Sequence, residues 1–398
     1  MISNRQMFQQ LMAQTSDAPM LLEIVKAEEC YLWDNNGKRY IDLISGISVS
    51  NIGHRHPDVV SAIIEQTNQY LHLMVYGEYV QSPQVKYAKA LTSLLPANLN
   101  CCYFVNSGSE AIEGAMKLAK RATGRAKIIA FKNSYHGSTQ GAMSLNNNEY
   151  FTNAFRPLLP GIEFIEWNNT TDLKAIDSDT ACVITEVIKA EAGAIEADKR
   201  FLKELNKKCK DRGALLICDE VQTGFGRTGP LFAFMDHEIM PDVICLGKGM
   251  AGGMPMGAFV SDKKIMNTLS NNPVLGHIST FGGHPVMCAA ASATLNVIAS
   301  LNTDVKVREK ERLIRSELKH PAIKKISGKG LLLALEFESI EFNKAVIKKC
   351  IEKGIIVDWF LFAEHMLRIA PPLNIPDELI IYTCRVIIEA IDSVEKIN

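Results

Sequence analysis

Surplus charge of one sign, long hydrophobic runs and C-x-x-C pairs are all missing from this sequence. Lys and Arg number 43 against 44 Asp and Glu, a formal net charge of -1. A nucleic-acid-binding chain uses surplus Lys and Arg to displace counterions from phosphate, so this balance points away from a nucleic-acid partner. The longest apolar windows, such as Cys288 to Ala299, are too short and too rich in Ala and Ser to span a bilayer. The polar stretch from Met1 to Pro19 lacks an apolar run with a small-residue cleavage site, so it does not read as a secretory signal. Ten cysteines are present, none spaced C-x-x-C, and the adjacent Cys101 and Cys102 would face opposite sides of a strand. They read as reduced thiols, mostly in the core, of a cytoplasmic protein. No repeat or low-complexity segment is visible.

What is present suits a globular enzyme. A chain of 398 residues with 47% hydrophobic content is too long for one ordinary core and fits two connected domains. Short apolar runs alternate with helical patterns from Asn100 to about Ser261. Candidate strands are Cys101–Val105, Lys127–Phe131, Glu163–Glu166, Ala181–Thr185, Ala214–Cys218, Val243–Leu246 and Ala258–Ser261. Amphipathic stretches such as Ala111–Arg121 and Arg200–Arg212 lie between them. Strands apolar on both faces and interleaved with helices imply an α/β fold with a mainly parallel seven-stranded sheet. Val25–Ala27, Tyr31–Trp33 and Tyr40–Asp42 read as a small sheet turned at Asn35-Asn36-Gly37. A long helix is expected from Pro285 to Ala299 and a charged one over Lys306–Lys319. Strands near Leu331–Phe337 and Ile355–Val357 follow, then a last helix, Pro376–Lys396. The expected division is a large domain, 53–300, and a small α+β domain assembled from 1–52 and 301–398.

Two segments carry the chemistry. In Val105-Asn106-Ser107-Gly108-Ser109-Glu110-Ala111 an apolar strand ends in small residues where a helix begins. Backbone N–H groups and hydroxyls there can meet an anion, with the helix dipole favouring negative charge, although an ordinary N-cap has the same appearance. In Ile217-Cys218-Asp219-Glu220-Val221-Gln222 an acid follows a buried strand, and Leu246-Gly247-Lys248-Gly249 places a lysine likewise. Both fall at the carboxyl edge of a parallel sheet, where open α/β sheets bind ligands. A Schiff-base lysine needs partial desolvation, and a carboxylate can keep a pyridinium nitrogen protonated. A loop lysine and a capping aspartate are the plainer alternatives for either residue alone. His54-Arg55-His56 imitates a metal site but has no third ligand nearby, so no metal is expected. Gly224-Phe225-Gly226-Arg227-Thr228-Gly229 satisfies G-x-G-x-x-G, yet Pro230 follows where a dinucleotide site needs a helix to start.

Taken together, these segments resemble class III aminotransferases, within the fold-type I pyridoxal-phosphate enzymes. The resemblance also runs through Gly53-His54-Arg55-His56-Pro57, Tyr135-His136-Gly137, Ser279-Thr280-Phe281-Gly282-Gly283 and Arg368-Ile369-Ala370-Pro371-Pro372. It implies pyridoxal 5'-phosphate as cofactor, carried by Lys248, which also moves a proton on the substrate. Asp219 would pair with the pyridine nitrogen, Gln222 with the ring's 3-oxygen, and Tyr135 would stack on the ring. Ser107, Gly108 and Ser109 would cradle the phosphate, helped by Thr280 of another subunit, which makes the site shared and the protein a homodimer. Glu186 would lie beside the cofactor, while His136 is taken as structural. Glu191 and Arg368 resemble the pair in which Arg binds a substrate carboxylate unless Glu occupies it.

Departures from the family pattern bear on substrate. Ser138 stands where acetylornithine-, ornithine- and 4-aminobutyrate-type enzymes commonly carry an arginine for a distal carboxylate. Lys189, in Glu186-Val187-Ile188-Lys189-Ala190-Glu191, either replaces that charge or lies on a solvated face. Ile47 stands where ornithine-specific relatives place a tyrosine. The leading expectation is ping-pong transamination from the terminal amine of an ω-amino acid to a 2-oxo acid. Aminomutase chemistry of the glutamate-1-semialdehyde type and a non-catalytic cofactor-binding protein are the alternatives.

Overall fold

The computed structural model describes residues 2–75 and 78–396. Seven strands, numbered in chain order, form its central sheet: β1 (Cys101–Val105), β2 (Lys127–Phe131), β3 (Ile162–Ile165), β4 (Thr180–Glu186), β5 (Leu215–Asp219), β6 (Val243–Leu246) and β7 (Gly257–Ser261). Their order across the sheet is β1-β7-β6-β5-β4-β2-β3. Six run in one direction, and β7 lies antiparallel between β1 and β6. β4 is buried along its whole length and β6 likewise. That burial suits the apolar sequence of β6 and the run Ala181–Ile184 within β4, since helices cover both faces of such a sheet.

The helix Gly108–Thr123 packs against β7 and β6, presenting Ala111, Ile112, Ala115, Met116 and Leu118 to the sheet. Ser107 caps its start by accepting the Glu110 N–H, and Gly124 ends it at φ 68° in the left-handed region. On the other face the helix Lys199–Arg212 buries Phe201, Leu202, Leu205 and Cys209.

A separate core is built from both chain ends. Cys30, Ile41 and Leu43 pack with Leu333, Leu335, Val346, Leu367 and Ile387. Ile24–Glu28, Tyr31–Asp34 and Arg39–Asp42 form the expected antiparallel sheet, and Ile355–Ile356 joins its edge in parallel. Among the strands that went unread in the sequence, Lys325–Lys329, Asp358–Phe360 and Ala363–Ile369 complete a second small sheet with Leu332–Glu336. Their sequences carry glycine and charge, which hides a strand from an apolar-run reading.

The G-x-G-x-x-G segment is a run of turns that joins the two cores. Arg227, fully buried there, donates through Nη1 to Leu331 O and Pro371 O and through Nη2 to Asn51 Oδ1. Leu331 N returns a bond to Arg227 O at 2.9 Å. Replacing Arg227 by Met removes three charge-assisted bonds and leaves buried carbonyls bare. The expected loss is roughly 3–5 kcal/mol, read as a lowered midpoint in urea denaturation. An unchanged midpoint would remove Arg227 from the joint between the cores.

Candidate functional site

The carboxyl ends of β1, β2, β4, β5 and β6 open onto one cavity of about 210 Å³. Ser107, Gly108 and Ser109 reach it after β1, and Tyr135 and His136 after β2. Glu186 and Asp219 end β4 and β5, while Gln222 and Lys248 lie on the loops beyond β5 and β6. The segments read separately along the chain therefore meet.

Two close approaches explain the glycines on either side of Lys248. A Cβ on Gly247 would stand 3.2 Å from the backbone of Gly108, and one on Gly249 only 2.5 Å from Asn51 Nδ2. Lys248 itself takes a left-handed φ of 43°. Its Nζ donates to Gln222 Oε1 at 3.2 Å. Burial lowers its pKa, with the charges of Glu191 and Asp219 acting in opposition. The result is an amine more easily freed of its proton than a surface lysine.

Asp219 accepts the Val221 N–H through Oδ1 at 2.9 Å and contacts His136 Nδ1 through Oδ2 at 2.7 Å. Burial works against a charged His136, but the bond and charge of Asp219, aided by Glu186, leave its pKa raised. His136 therefore orients the central carboxylate, a contact the sequence reading missed. Its place next to Tyr135 was the available signal. Burial pushes Glu186 up to about 7, eased by His136 and reinforced by Asp219.

A ring with a phosphate fits these residues. His136 Nε2, Glu186 Oε2 and Gln222 Nε2 are buried without hydrogen-bond partners, so polar capacity at the cavity is unspent. At the other end the 16-residue helix starts at Gly108, where a Cβ would meet Val221 Cγ1 at 2.6 Å. Close backbone approach and the helix N-terminus together suit a phosphate.

The remaining expected residues are not among those lining the cavity. Glu191 and Arg368 form a buried bidentate pair, Nη1 to Oε1 at 3.1 Å and Nη2 to Oε2 at 2.9 Å. Burial opposes the charge on Glu191, yet Arg368, Lys248 and the Leu361 N–H hold its pKa below the usual carboxylate value. Ser138 is exposed and shares a 2.9 Å hydrogen bond with Tyr135 Oη. Ile47 is 36% exposed in a left-handed turn outside the cavity wall. Thr280 is also exposed, its carbonyl accepting His72 Nε2 at 2.8 Å. Lys189 corrects one of its readings: it does not lie on a solvated face, and it is not part of the cavity lining. It is 4% exposed, donates to Lys132 O at 2.5 Å and lies 5.4 Å from the Trp167 ring. The histidines of the apparent metal motif have other work. His54 pairs with Asp42 at 2.8 Å, and His56 caps the helix Pro57–Gln69.

Comparison with known proteins agrees with this geometry. The chain is 37% identical over 359 residues to the acetylornithine aminotransferase of Methanopyrus kandleri, covering 89% of this chain and 90% of that one. It is 37% identical over 342 residues to the LysW-aminoadipate semialdehyde/glutamate semialdehyde transaminase of Sulfolobus acidocaldarius, covering 84% and 86%. In structure it is similar to the ornithine aminotransferase of Toxoplasma gondii, with a TM-score of 0.89 at 31% identity over 98% of this chain and 93% of that one. The sequence model of the family described as Aminotransferase class-III matches residues 12–391, and the chain belongs to that family.

Proposed function

We propose that this aminotransferase uses pyridoxal phosphate to move the terminal amine of an ω-amino acid to a 2-oxo acid. The observation that carries the reading is Lys248, a partly buried amine with lowered pKa facing Asp219 and Gln222 across one cavity. The named relatives, acetylornithine and LysW-aminoadipate semialdehyde transaminases, support the substrate class. Bound pyridoxal phosphate supplies a carbonyl that condenses with amines and a ring that accepts the electron pair left on the substrate carbon. Ser107, Gly108, Ser109 and the helix N-terminus bind the phosphate. Asp219, oriented by His136, holds a proton at the ring nitrogen, and Gln222 hydrogen-bonds the ring oxygen. Tyr135 covers a ring face. Lys248 Nζ ties the cofactor to the chain and carries the proton to and from the substrate. Arg368 receives a substrate carboxylate when Glu191 withdraws, and Glu191 covers it at other times.

The reading is tested by borohydride reduction and peptide mapping, which should place a pyridoxyl group on Lys248. Lys248→Ala should retain cofactor but complete no turnover. An adduct on another lysine would overturn the assignment. A panel of terminal amines with pyruvate and 2-oxoglutarate then identifies donor and acceptor. Activity only with amines lacking any carboxylate would count against the ω-amino-acid class.

Ser138 sets acceptor preference in this reading, because Arg offers a dicarboxylate two parallel charge-assisted bonds where serine offers one neutral donor. Ser138→Arg should raise kcat/KM for 2-oxoglutarate relative to pyruvate by about tenfold. Lys189→Ala should leave that ratio unchanged, since its ammonium is held at Lys132 and Trp167. If only the Lys189 variant moves the ratio, the specificity role passes to Lys189.

The protein acts as a homodimer with shared sites, Thr280 reaching the phosphate of the neighbouring subunit. Exposed Leu71, Ile278 and Phe281 near Thr280 support an apolar contact there. Hybrid dimers of Lys248→Ala and Thr280→Ala chains should regain about half of wild-type dimer activity, because one site then carries neither lesion. Hybrids confirmed by native mass spectrometry but inactive would return the threonine to its own subunit. The two cores support a division into 1–52 with 301–398 and 53–300. Ten free cysteines, eight of them buried, support a reducing cytoplasmic location.

A further inference from the structure

Arg368 is held on more sides than its exchange with Glu191 requires. The guanidinium is 2% exposed. Its Nη1 and Nη2 face Glu191. Three consecutive residues of the strand Asp358–Phe360 take the other sides: Asp358 Oδ1 lies 3.2 Å from Nε, Trp359 O accepts from Nη2 at 2.8 Å, and the Phe360 ring lies 4.5 Å beneath the carbon. The next two residues grip Glu191 instead, Leu361 N donating to its carboxylate and Phe362 N to its carbonyl, each at 3.0 Å. Neither the motif pattern nor the exchange of carboxylates at Arg368 calls for an acid at 358.

We propose that Asp358 is a positioning residue that keeps the Nε edge of Arg368 fixed, so that the opposite edge, which faces Glu191, keeps its direction after Glu191 withdraws. This inference rests on the reading of Arg368 as the substrate-carboxylate group. A guanidinium that loses its bidentate partner in a buried site is free to rotate towards any other acceptor. Bidentate capture of a carboxylate requires the two N–H groups to point in parallel. Trp359 O and the Phe360 ring restrict the plane, and Asp358 restricts rotation within it.

The Asp358 contact is one of position more than of charge. Its Oδ1 and Arg368 Nε are both without a well-aimed hydrogen bond, so a small rotation of the guanidinium would complete one. Burial pushes the Asp358 carboxyl up to about 7, with Arg368 opposing and Glu191 and Asp42 adding to the rise. Near neutral pH the group is therefore partly protonated. An amide of the same shape, offering a carbonyl oxygen to Nε, should serve nearly as well.

The test compares Asp358→Ala, Asp358→Asn and Arg368→Ala holoenzymes, reading KM and kcat for pyruvate and the calorimetric Kd of propionate, an unreactive monocarboxylate. Asp358→Ala should raise both KM and Kd by about tenfold, as the substrate-facing N–H groups lose their parallel aim, with kcat within about twofold. Asp358→Asn should restore both to within about threefold of wild type. If Asp358→Ala changes neither constant while Arg368→Ala raises both, Asp358 has no positioning role and the reading of Arg368 stands. If Arg368→Ala leaves propionate binding intact, the reading of Arg368 itself falls. Should Asp358→Ala fail to fold, Asp358→Asn decides: wild-type constants support positioning, and a tenfold loss overturns it.

Discussion

The Asp219 carboxylate sits at the end of β5, the central strand of a sheet covered on both faces, and the site depends on that buried anion being matched. An unpaired carboxylate there would cost several kcal/mol or take up a proton. Asp219 is matched by a backbone N–H from Val221 and by the His136 ring, whose pKa Asp219 and Glu186 raise against burial. Glu186, next in line, is itself raised to about 7, which limits how many full negative charges share the pocket. On the other side Lys248 is depressed by the same withdrawal from water. Burial thus shifts acid and amine in opposite directions, and pairs of groups separated in this way are what acid–base chemistry at neutral pH needs.

Two buried guanidiniums divide the structural and the chemical tasks between them. Arg227 is held through Nη1 and Nη2 by backbone and amide acceptors, its Nε left without a partner, and it joins the central core to the one built from both chain ends. Arg368 faces ionisable acceptors, Glu191 and Asp358, along with one carbonyl. The planar fork of arginine permits both uses, because five N–H groups in fixed directions can be locked completely or left with one edge exchangeable.

Much of the fold was legible because β1 to β6 are apolar on both faces, and the acids and the lysine that follow them fall at one edge by the geometry of parallel strands. Lys325–Lys329 and Ala363–Ile369 were not legible, since Gly328, Glu364 and His365 interrupt any apolar run. Lys189 was read as surface or site because lysines seldom bury. A carbonyl from Lys132 and the Trp167 ring accommodate its ammonium, and neither lies near it in sequence. Thr280 marks a different limit: its expected partner belongs to another copy of the chain, and neither one sequence nor one fold contains that contact.

Strained backbone converges on the same place, and Asn51 explains how it persists. Ser45, Gly46, Ile47 and Ser48 are consecutively left-handed, Phe225 has φ 58° and Lys248 has φ 43°. Each non-glycine residue in that region costs about 1–2 kcal/mol, and more for a β-branched one such as Ile47, so surrounding contacts must impose it. Asp42 fixes the first turn by accepting the Ile44 and Ser45 N–H groups. Asn51, 1% exposed, then donates to Phe225 O, accepts from Arg227, receives the Leu373 N–H on its carbonyl and lies against Gly249. One residue, through side chain and backbone, thereby ties the N-terminal turn, the Arg227 loop, the Lys248 loop and the C-terminal segment together. A lysine on strained backbone is held in place only if its loop has nowhere to relax, and packing at Asn51 removes that freedom.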